Sequence, residues 1–391
     1  MIQVHKTLDL LDLCMLLRYY PFYIVFLLSF AWMDLCGQLR YVQAKAHVGS
    51  IIKHRTTITF DTDRPTYGVD LGVYWQTRGT KPWQERQHFP RFFLTGGYLD
   101  LGNPDVLGEA WTLFGGLELN LFRKAKSAMH FGYAIGYAYM TKPFDRVTNP
   151  TNNAIGSHLN NSVALSLDYE HRFFERYLLH LGIHLQHYSN GARKLPNLGL
   201  NIPSIYVAIS PYQGHYEKDF FNFQKTQLEQ EQESRFAYGL FTQYAQVEIR
   251  IPGGPNYPIY VFGAEILYHL NANNRLSLGY QYGYNSSISV FGLHTGDFSD
   301  DDEARVGASR HSITAGNEFL FGAWALQIKA GVYLNRNSGF LIPRPYYFQL
   351  SPRYYFNSQS HSRTKFYANL QLKSHLFIAE YIAFGVGMVF R

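Results

Sequence analysis

Large apolar side chains alternate with small or polar ones in several stretches of the chain. Ser127–Met140 is one such stretch, and others cover residues 276–284, 326–334 and 378–390, where Glu380 interrupts the apolar face. A period of two places neighbouring side chains on opposite faces of an extended strand. In Ser127–Met140 the apolar face holds Met129, Phe131, Tyr133, Ile135, Tyr137 and Tyr139, and the other face holds Ala128, His130, Gly132, Ala134, Gly136 and Ala138. The pattern predicts β-strands with two different faces.

The face opposite the aromatic stripe indicates which kind of β-protein this is. A soluble sandwich can alternate too, but a barrel lumen tolerates Gly, Ser, Gln, His and Lys, while lipid demands the aromatic stripe. We therefore predict an all-β fold, a transmembrane antiparallel outer-membrane β-barrel of about 12–16 strands. It would span residues 38–391 without a second domain. We expect turns at Arg250–Tyr257 and Leu270–Asn274, and surface loops at Tyr212–Ser234 and Leu293–Val306.

Composition agrees with a membrane barrel and excludes other classes. Charged residues make up 16% of the chain and aromatic residues 17%, whereas a soluble protein usually carries about a quarter charged residues. The net charge of +6 comes from scattered basic residues. Without a Lys/Arg cluster or an aromatic RNA-binding signature, nucleic-acid binding is not expected. Attraction to anionic lipid headgroups is the simpler interpretation of the positive charge.

The N-terminal region has the features of an export signal. Its apolar stretch, Tyr20–Trp32, is shorter than the ~20 residues needed to span a bilayer and is followed by small and polar residues. We assign residues 1–37 to a signal peptide with an N-terminal extension, whose true start could be Met15. Both cysteines, Cys14 and Cys36, lie in this segment. The mature chain is therefore expected to lack a disulfide framework, a zinc site and a cysteine nucleophile.

Candidate chemistry lies in the stretch Leu179–Ile209. His187 and Ser189 follow four apolar residues of the same parity, so they fall on the face that a barrel turns to lipid. Two residues along a strand separate Cα atoms by roughly 6.6 Å, close enough for an imidazole to reach the hydroxyl. A His–Ser pair is the minimum for an activated serine nucleophile. A lone His-x-Ser is usually without function, but polar residues are costly on an apolar stripe, which favours a role here.

Two asparagines extend this pair. Asn201 shares the lipid-facing parity at the start of the next strand and could orient the imidazole, the third role in a catalytic triad. Asn190 directly follows Ser189, and its side chain or backbone N–H could stabilise an oxyanion.

Other candidates are weaker. His180 and His184 are four residues apart, roughly 13 Å along a strand, which is too far to share a metal. The acidic run Asp300–Glu303 could bind calcium, but a solvated loop is the simpler interpretation. No phosphate-binding glycine motif is present.

These residues carry a resemblance to a known family. His187-Tyr188-Ser189-Asn190, with the following Lys194, Pro196, Asn197 and Gly199, resembles the active-site stretch of PagL-type lipid A 3-O-deacylases, also described as acyloxyacyl hydrolases. The segment Gly156-Ser157-His158-Leu159-Asn160 resembles the family's Gly-Ser-x-x-Asn segment. The stretch Asp100-Leu101-Gly102-Asn103-Pro104 through Leu107-Gly108 resembles longer members from Bacteroidetes-type bacteria. The resemblance covers roughly residues 90–211.

The resemblance implies a function and a mechanism. It implies a serine esterase that removes an ester-linked acyl chain from lipid A in the outer leaflet of a Gram-negative outer membrane. Ser189 would be the nucleophile, His187 the base and Asn190 an oxyanion residue. The site would lie on the lipid-facing wall of an eight-stranded barrel, and neither a metal nor an organic cofactor is needed.

Two departures from the family pattern leave alternatives open. Asn201 stands where the family has a catalytic Glu, and the nearby carboxylates of Asp168 and Glu170 have the parity of the lumen. In addition, residues past about 211 are not explained by the motif. One alternative is a non-enzymatic channel or transporter whose C-terminal half enlarges the lumen. Another is a lipid-binding barrel that keeps the site without turnover.

Overall fold

The structure, a computed structural model, describes residues 39–174, 176–212, 234–335, 344–356, 362–376 and 378–391. The predicted signal peptide lies outside these residues with both cysteines, as does most of the predicted loop Tyr212–Ser234, and these assignments remain predictions. Within the described residues the chain is almost entirely antiparallel β-structure, which confirms the predicted fold class.

The strands close into two barrels of eight strands each. The first contains β1 (Leu39–Gly49), β2 (Thr66–Gln76), β3 (Arg91–Asp100), β4 (Glu109–Lys124), β5 (Ser127–Met140), β6 (Leu159–Phe173), β7 (Tyr177–Ser189) and β8 (Leu200–Pro211). The second contains β9 (Phe236–Glu248), β10 (Asn256–Asn271), β11 (Asn274–Asn285), β12 (Ser309–Phe321), β13 (Trp324–Tyr333), β14 (Tyr346–Tyr355), β15 (Thr364–His375) and β16 (Ile378–Phe390).

Closure into two barrels corrects the expectation of a single one over residues 38–391. The sixteen described strands fall within the predicted count. However, β8 pairs with β1, matching Val207 with Ala46, and β16 pairs with β9, matching Val386 with Thr242. Alternation along a strand shows which faces are apolar but not which distant strand completes the ring, so sequence alone did not separate the two barrels.

Both lumens are filled by interlocked polar side chains. In the first barrel Arg91 pairs with Glu118, Asp168 and Glu170. In the second, Arg353 donates to Glu265 at 2.9 Å. An eight-stranded barrel has an interior just wide enough for side chains. The premise of the channel alternative, one enlarged lumen, is therefore not met.

The outer faces carry the predicted apolar stripes. Exposed residues on them include Leu181, Ile183, Leu185, Ile205, Val207, Phe262, Leu278, Ile328 and Val332. Glu380 does not interrupt the stripe of β16, because a bulge in the β15–β16 pairing shifts the register after Lys373. Its carboxylate instead binds His375 at 3.0 Å and Lys373 at 3.1 Å.

Three short helices complete the described fold: α1 (Pro82–Arg86), α2 (Ser286–Thr295) and α3 (Asp301–Ala308). The last two replace part of the loop predicted at Leu293–Val306. Side-chain caps explain them, because Asn285 accepts from the Ser287 N–H and Asp300 accepts from the Glu303 N–H. The acidic run thus begins α3, and within the described residues it belongs to no group of side chains suited to hold a metal. No helix in the described part of the chain is long and apolar enough to cross a membrane.

The two barrels contact each other through short segments between strands. Near α1, Arg86 Nε donates to Asn273 Oδ1 at 3.2 Å, and Gln87 Nε2 donates to the Leu320 carbonyl at 2.8 Å. At the opposite ends of the strands, the segment that follows β7 contacts the end of β9. The barrels therefore meet beside the stretch that carries the candidate chemistry.

Candidate active site

Three adjacent strands of the first barrel position the candidate residues. β7 pairs with β6 on one side and with β8 on the other. The register places His187 directly opposite Asn201 on β8. It also places Ser189 opposite Asn161 on β6. His187, Ser189 and Asn201 all have the outward parity of their strands, so the three meet on the outer wall.

Their side chains form a continuous hydrogen-bonded row. Nε2 of His187 lies 3.1 Å from Oγ of Ser189, and Nδ1 lies 2.7 Å from Oδ1 of Asn201. An amide oxygen only accepts hydrogen bonds, so Nδ1 carries the proton and donates to Asn201. Nε2 is then free to accept the hydroxyl hydrogen of Ser189. This arrangement has the geometry of an activated nucleophile, a base and a group that orients the base.

The site is more enclosed than its position on the outer wall suggests. Ser189 is 6% exposed, whereas Leu185, four residues earlier on the same face, is 41% exposed. The segment 190–199, here called the site loop, returns over His187. Gly199 has a φ of +78°, and a Cβ at this position would lie 2.9 Å from Cε1 of His187. Glycine thus allows the loop to pass against the imidazole.

Asn190 holds the site loop in place. Its backbone N–H donates to Oδ1 of Asn197 at 2.9 Å, and Nδ2 donates to Ser157 Oγ at 3.0 Å and to the Lys194 carbonyl at 2.8 Å. Its Oδ1 accepts from the backbone N–H of Lys194 at 3.2 Å. Every N–H of Asn190 is therefore engaged within the protein. To bind an oxyanion, Asn190 must first release one of these acceptors.

The structure brings together both segments that carry the family resemblance. Ser157 binds Asn190, and the backbone around Gly156 lies so close to the site loop that a Cβ there would be 2.6 Å from the Leu195 carbonyl carbon. No individual role for Ser157, Asn197 or Gly199 could be read from the sequence. Their positions in the motif were the available signal, but the bonds they make depend on folding.

The remaining polar candidates lie inside the barrel. Asp168 accepts from Tyr206 at 2.8 Å and lies 3.0 Å from Nδ1 of His180, and Glu170 pairs with Arg91. The ring of His184 packs in the lumen against that of His47, with centroids 4.7 Å apart. These carboxylates and imidazoles are separated from His187 by the barrel wall, as their parity predicts. Asn201 is therefore the group that faces Nδ1.

An apolar groove of about 670 Å³ leads along the outer wall towards the site. It is lined mainly by Ile52, Phe131, Leu165, Leu167, Ile183, Leu185, Pro203 and Ile205. Leu185 pairs with Pro203, and the next outward pair along the same strands is His187 with Asn201. The lipid-facing groove therefore ends one outward pair before His187 and Asn201. An extended hydrocarbon chain is the shape and chemistry that it fits.

Two family models match most of the chain. Residues 69–210 match the model described as lipid A 3-O-deacylase (PagL), and residues 234–391 match the one described as acyloxyacyl hydrolase, C-terminal domain. The first match covers the predicted motif region. The second accounts for the residues past 211 that the motif left unexplained. No curated protein matches the chain.

Several solved structures are similar to parts of the chain. The crystal structure of the outer membrane enzyme PagL has 16% identity and a TM-score of 0.31, covering 42% of this chain and 97% of its own. Neisserial surface protein A has 7% identity and a TM-score of 0.32, covering 44% of this chain and 97% of its own. A designed transmembrane β-barrel has 10% identity and a TM-score of 0.22, with coverages of 44% and 93%.

Proposed function

Because the chain belongs to the lipid A 3-O-deacylase (PagL) family of carboxylic ester hydrolases in the Gram-negative outer membrane, we propose that it removes an ester-linked acyl chain from lipid A with Ser189 as nucleophile. The observation that carries the proposal is the row of hydrogen bonds from Ser189 through His187 to Asn201. The substrate would reach it from the outer leaflet. β7 runs outward if the N-terminus is periplasmic, so its C-terminal end would lie among those lipids.

The reaction follows from the row of hydrogen bonds. Oγ of Ser189 attacks the acyl carbonyl carbon while its proton passes to Nε2 of His187. The tetrahedral intermediate collapses, the ester C–O bond breaks, and the sugar oxygen leaves with the proton from His187. Water then attacks the acyl-enzyme with His187 as base, which releases the fatty acid and restores Ser189. The cycle balances with one water consumed for each acyl chain released.

Asn201 supports this cycle as an orienting group. Its bond to Nδ1 fixes the ring and the tautomer that presents a basic Nε2 to Ser189. It supplies a dipole rather than a charge, so it stabilises the imidazolium less than a carboxylate would. We therefore expect a lower kcat than the same site would have with a carboxylate in place of Asn201.

The oxyanion role predicted for Asn190 requires an exchange of partners. Its backbone N–H lies directly after the nucleophile and donates to Asn197 Oδ1. In the proposed cycle this N–H turns from Asn197 to the substrate oxygen, while the two side-chain bonds to Ser157 and Lys194 keep the loop in place. A fully preorganised oxyanion donor is worth about 10²–10³-fold in rate, and the need to break the bond to Asn197 makes the contribution of this N–H smaller.

The apolar groove supplies the binding site for the acyl chain. Its outward residues lie in the lipid-facing wall, so a chain of lipid A enters without leaving an apolar environment. The pair Leu185 and Pro203 ends the groove beside His187, which brings the ester carbonyl to the level of the nucleophile. Because the chain moves from lipid to an apolar groove, no hydrophobic transfer free energy is gained, and close packing against the groove does the positioning.

The test is the mass of lipid A from outer membranes that contain the wild-type protein or Ser189→Ala. We expect the loss of one acyl chain with the wild type and unchanged lipid A with the variant, provided that both barrels resist unfolding by detergent to the same extent. The mass lost identifies the chain removed. Unchanged lipid A in both samples would refute the deacylase. If lipid A nevertheless bound the folded wild type, the alternative of a binding barrel without turnover would hold.

A further inference from the structure

The site loop is held from the second barrel by one buried carboxylate. Glu248 ends β9 and is 2% exposed. Its Oε2 accepts a hydrogen bond from the backbone N–H of Leu195, and its Oε1 lies 3.6 Å from Nζ of Lys194. Its own N–H donates to the Ala192 carbonyl at 2.9 Å. Three residues of the site loop are thus tied to a single residue of the other barrel.

Apolar contacts from the second barrel reach the part of the loop nearest the nucleophile. Gly191, two residues after Ser189, has a φ of +64°, and a Cβ there would lie 2.7 Å from Cγ1 of Ile382 on β16. Ala192 packs against the apolar core cluster of the second barrel. The loop is therefore enclosed between the barrels from Gly191 to Leu195.

These contacts determine where the loop sits relative to Ser189. From Asn190 the chain continues directly into the segment that Ile382 and Glu248 hold, and the Lys194 carbonyl anchors the Asn190 side chain. A buried carboxylate needs partners, and here its partners are a loop N–H and a loop ammonium group. If Glu248 is lost, the N–H of Leu195 loses its acceptor, the side chain of Lys194 loses its ion-pair partner, and the loop is free to shift.

We propose that the second barrel is part of the deacylase machinery, with Glu248 and Ile382 as positioning residues that fix the site loop beside Ser189. This inference rests on the proposed function. It gives the C-terminal barrel a specific task, because its lumen is filled and it contributes no group to the Ser189–His187–Asn201 row. Neither residue touches the reacting atoms, so both act on the rate through the loop.

The experiment measures kcat and KM for lipid A with the full-length protein in detergent micelles. The variants are Glu248→Ala, which removes both the acceptor for the Leu195 N–H and the ion pair with Lys194, and Glu248→Gln, which keeps an acceptor for the Leu195 N–H. Gln246→Ala, two residues earlier on β9 and bonded to Tyr244, is the matched control. We expect Glu248→Ala to lower kcat by about 100-fold with little change in KM, since misplacement by about 1 Å costs that much. Glu248→Gln should recover most of the rate.

Ile382→Ala provides a second test if Glu248→Ala fails to fold. It opens a gap against Gly191, and Val386→Ala, on the same strand and face, is its control. We expect a fall in kcat of about 10-fold for Ile382→Ala alone. A reactive fluorophosphonate, which bonds to Oγ of an activated serine and releases fluoride, should label Ser189 more slowly in Glu248→Ala and Ile382→Ala.

The outcomes separate this inference from the proposed function. If the wild type deacylates lipid A and the folded variants at Glu248 and Ile382 keep its kcat, the inference is overturned and the deacylase stands. An effect on KM alone would also overturn it. If the wild type neither deacylates lipid A nor reacts with the fluorophosphonate, the proposed function fails and the inference fails with it.

Discussion

Oδ1 of Asn201 accepts a hydrogen bond from Nδ1 of His187 over 2.7 Å, across the β7–β8 pair. An amide thus occupies the position from which a carboxylate would stabilise the imidazolium. Asn201→Asp keeps the size and the acceptor and adds the charge. We expect Asn201→Asp to raise kcat about tenfold. Asn201→Leu, which removes the acceptor, should lower kcat by about 10²-fold or more. Steady-state rates on lipid A check both, and a folded Asn201→Asp slower than the wild type would contradict an orienting role.

Gly199 tests the close approach of the site loop to the imidazole. In Gly199→Ala the new Cβ would lie 2.9 Å from His187 Cε1, so the imidazole or the site loop must shift, which disturbs the His187–Ser189 geometry. We expect a loss of activity of about 10²-fold. Gly296→Ala is the control, because Gly296 has the same φ of +78° but open space around its Cβ position. Equal losses of activity in the two variants would show that backbone strain, not displacement of His187, is responsible.

Ser157→Ala removes one acceptor of the Asn190 side chain. Because Asn190 then keeps only Lys194 as an acceptor for Nδ2, we expect kcat to fall about tenfold while the barrel stays folded. Ser162→Ala on the neighbouring part of β6 is the control, because among the described residues its buried hydroxyl has no hydrogen-bond partner. Deacylation rates on lipid A provide the readout. An unchanged kcat in Ser157→Ala would show that Ser157 is not needed to hold the site loop in place.

Ile183→Trp tests whether the apolar groove binds the acyl chain. Ile183 lines the groove and is 56% exposed, so an indole there occupies space that the chain would use. We expect a rise in KM for lipid A and a preference for substrates with shorter acyl chains. Ile328→Trp, on the outer face of the second barrel, is the control, because it adds a bulky lipid-facing aromatic side chain outside the groove. Competition between substrates of different chain length measures the shift, and an unchanged preference would place the acyl chain elsewhere.

Arg91→Met should destabilise the first barrel. Arg91 is buried against Glu118, Asp168 and Glu170, and its loss leaves buried carboxylates without their cation. Breaking a buried ion pair costs about 3–5 kcal/mol of unfolding free energy. Arg64→Met is the control, since its pair with Asp100 is half-exposed and worth about 0–1 kcal/mol. Urea unfolding in micelles compares the two, and equal losses of unfolding free energy would argue against the buried cluster as a stabilising element.

The sequence by itself determined the faces of the strands, and it predicted the members of the Ser189–His187–Asn201 row. A period of two assigns each side chain to lipid or lumen because sterics fix the alternation locally, whatever the strand pairs with. For that reason the outward placement of His187 and Ser189, and the lumenal placement of Asp168 and Glu170, could be read directly. Asn201 could be placed on the same wall for the same reason.

Only the tertiary structure decided how the strands close and what surrounds Ser189. Ring closure depends on pairing between β1 and β8 and between β9 and β16, which lie far apart in sequence and carry no local signal. The bulge that turns Glu380 inward is a shift in register between two strands. Glu248 accepts a hydrogen bond from Leu195, which lies 53 residues away in sequence. No sequence pattern around Glu248 indicates this partner. Long-range contacts of this kind arise from packing, so they exist only once both barrels are formed.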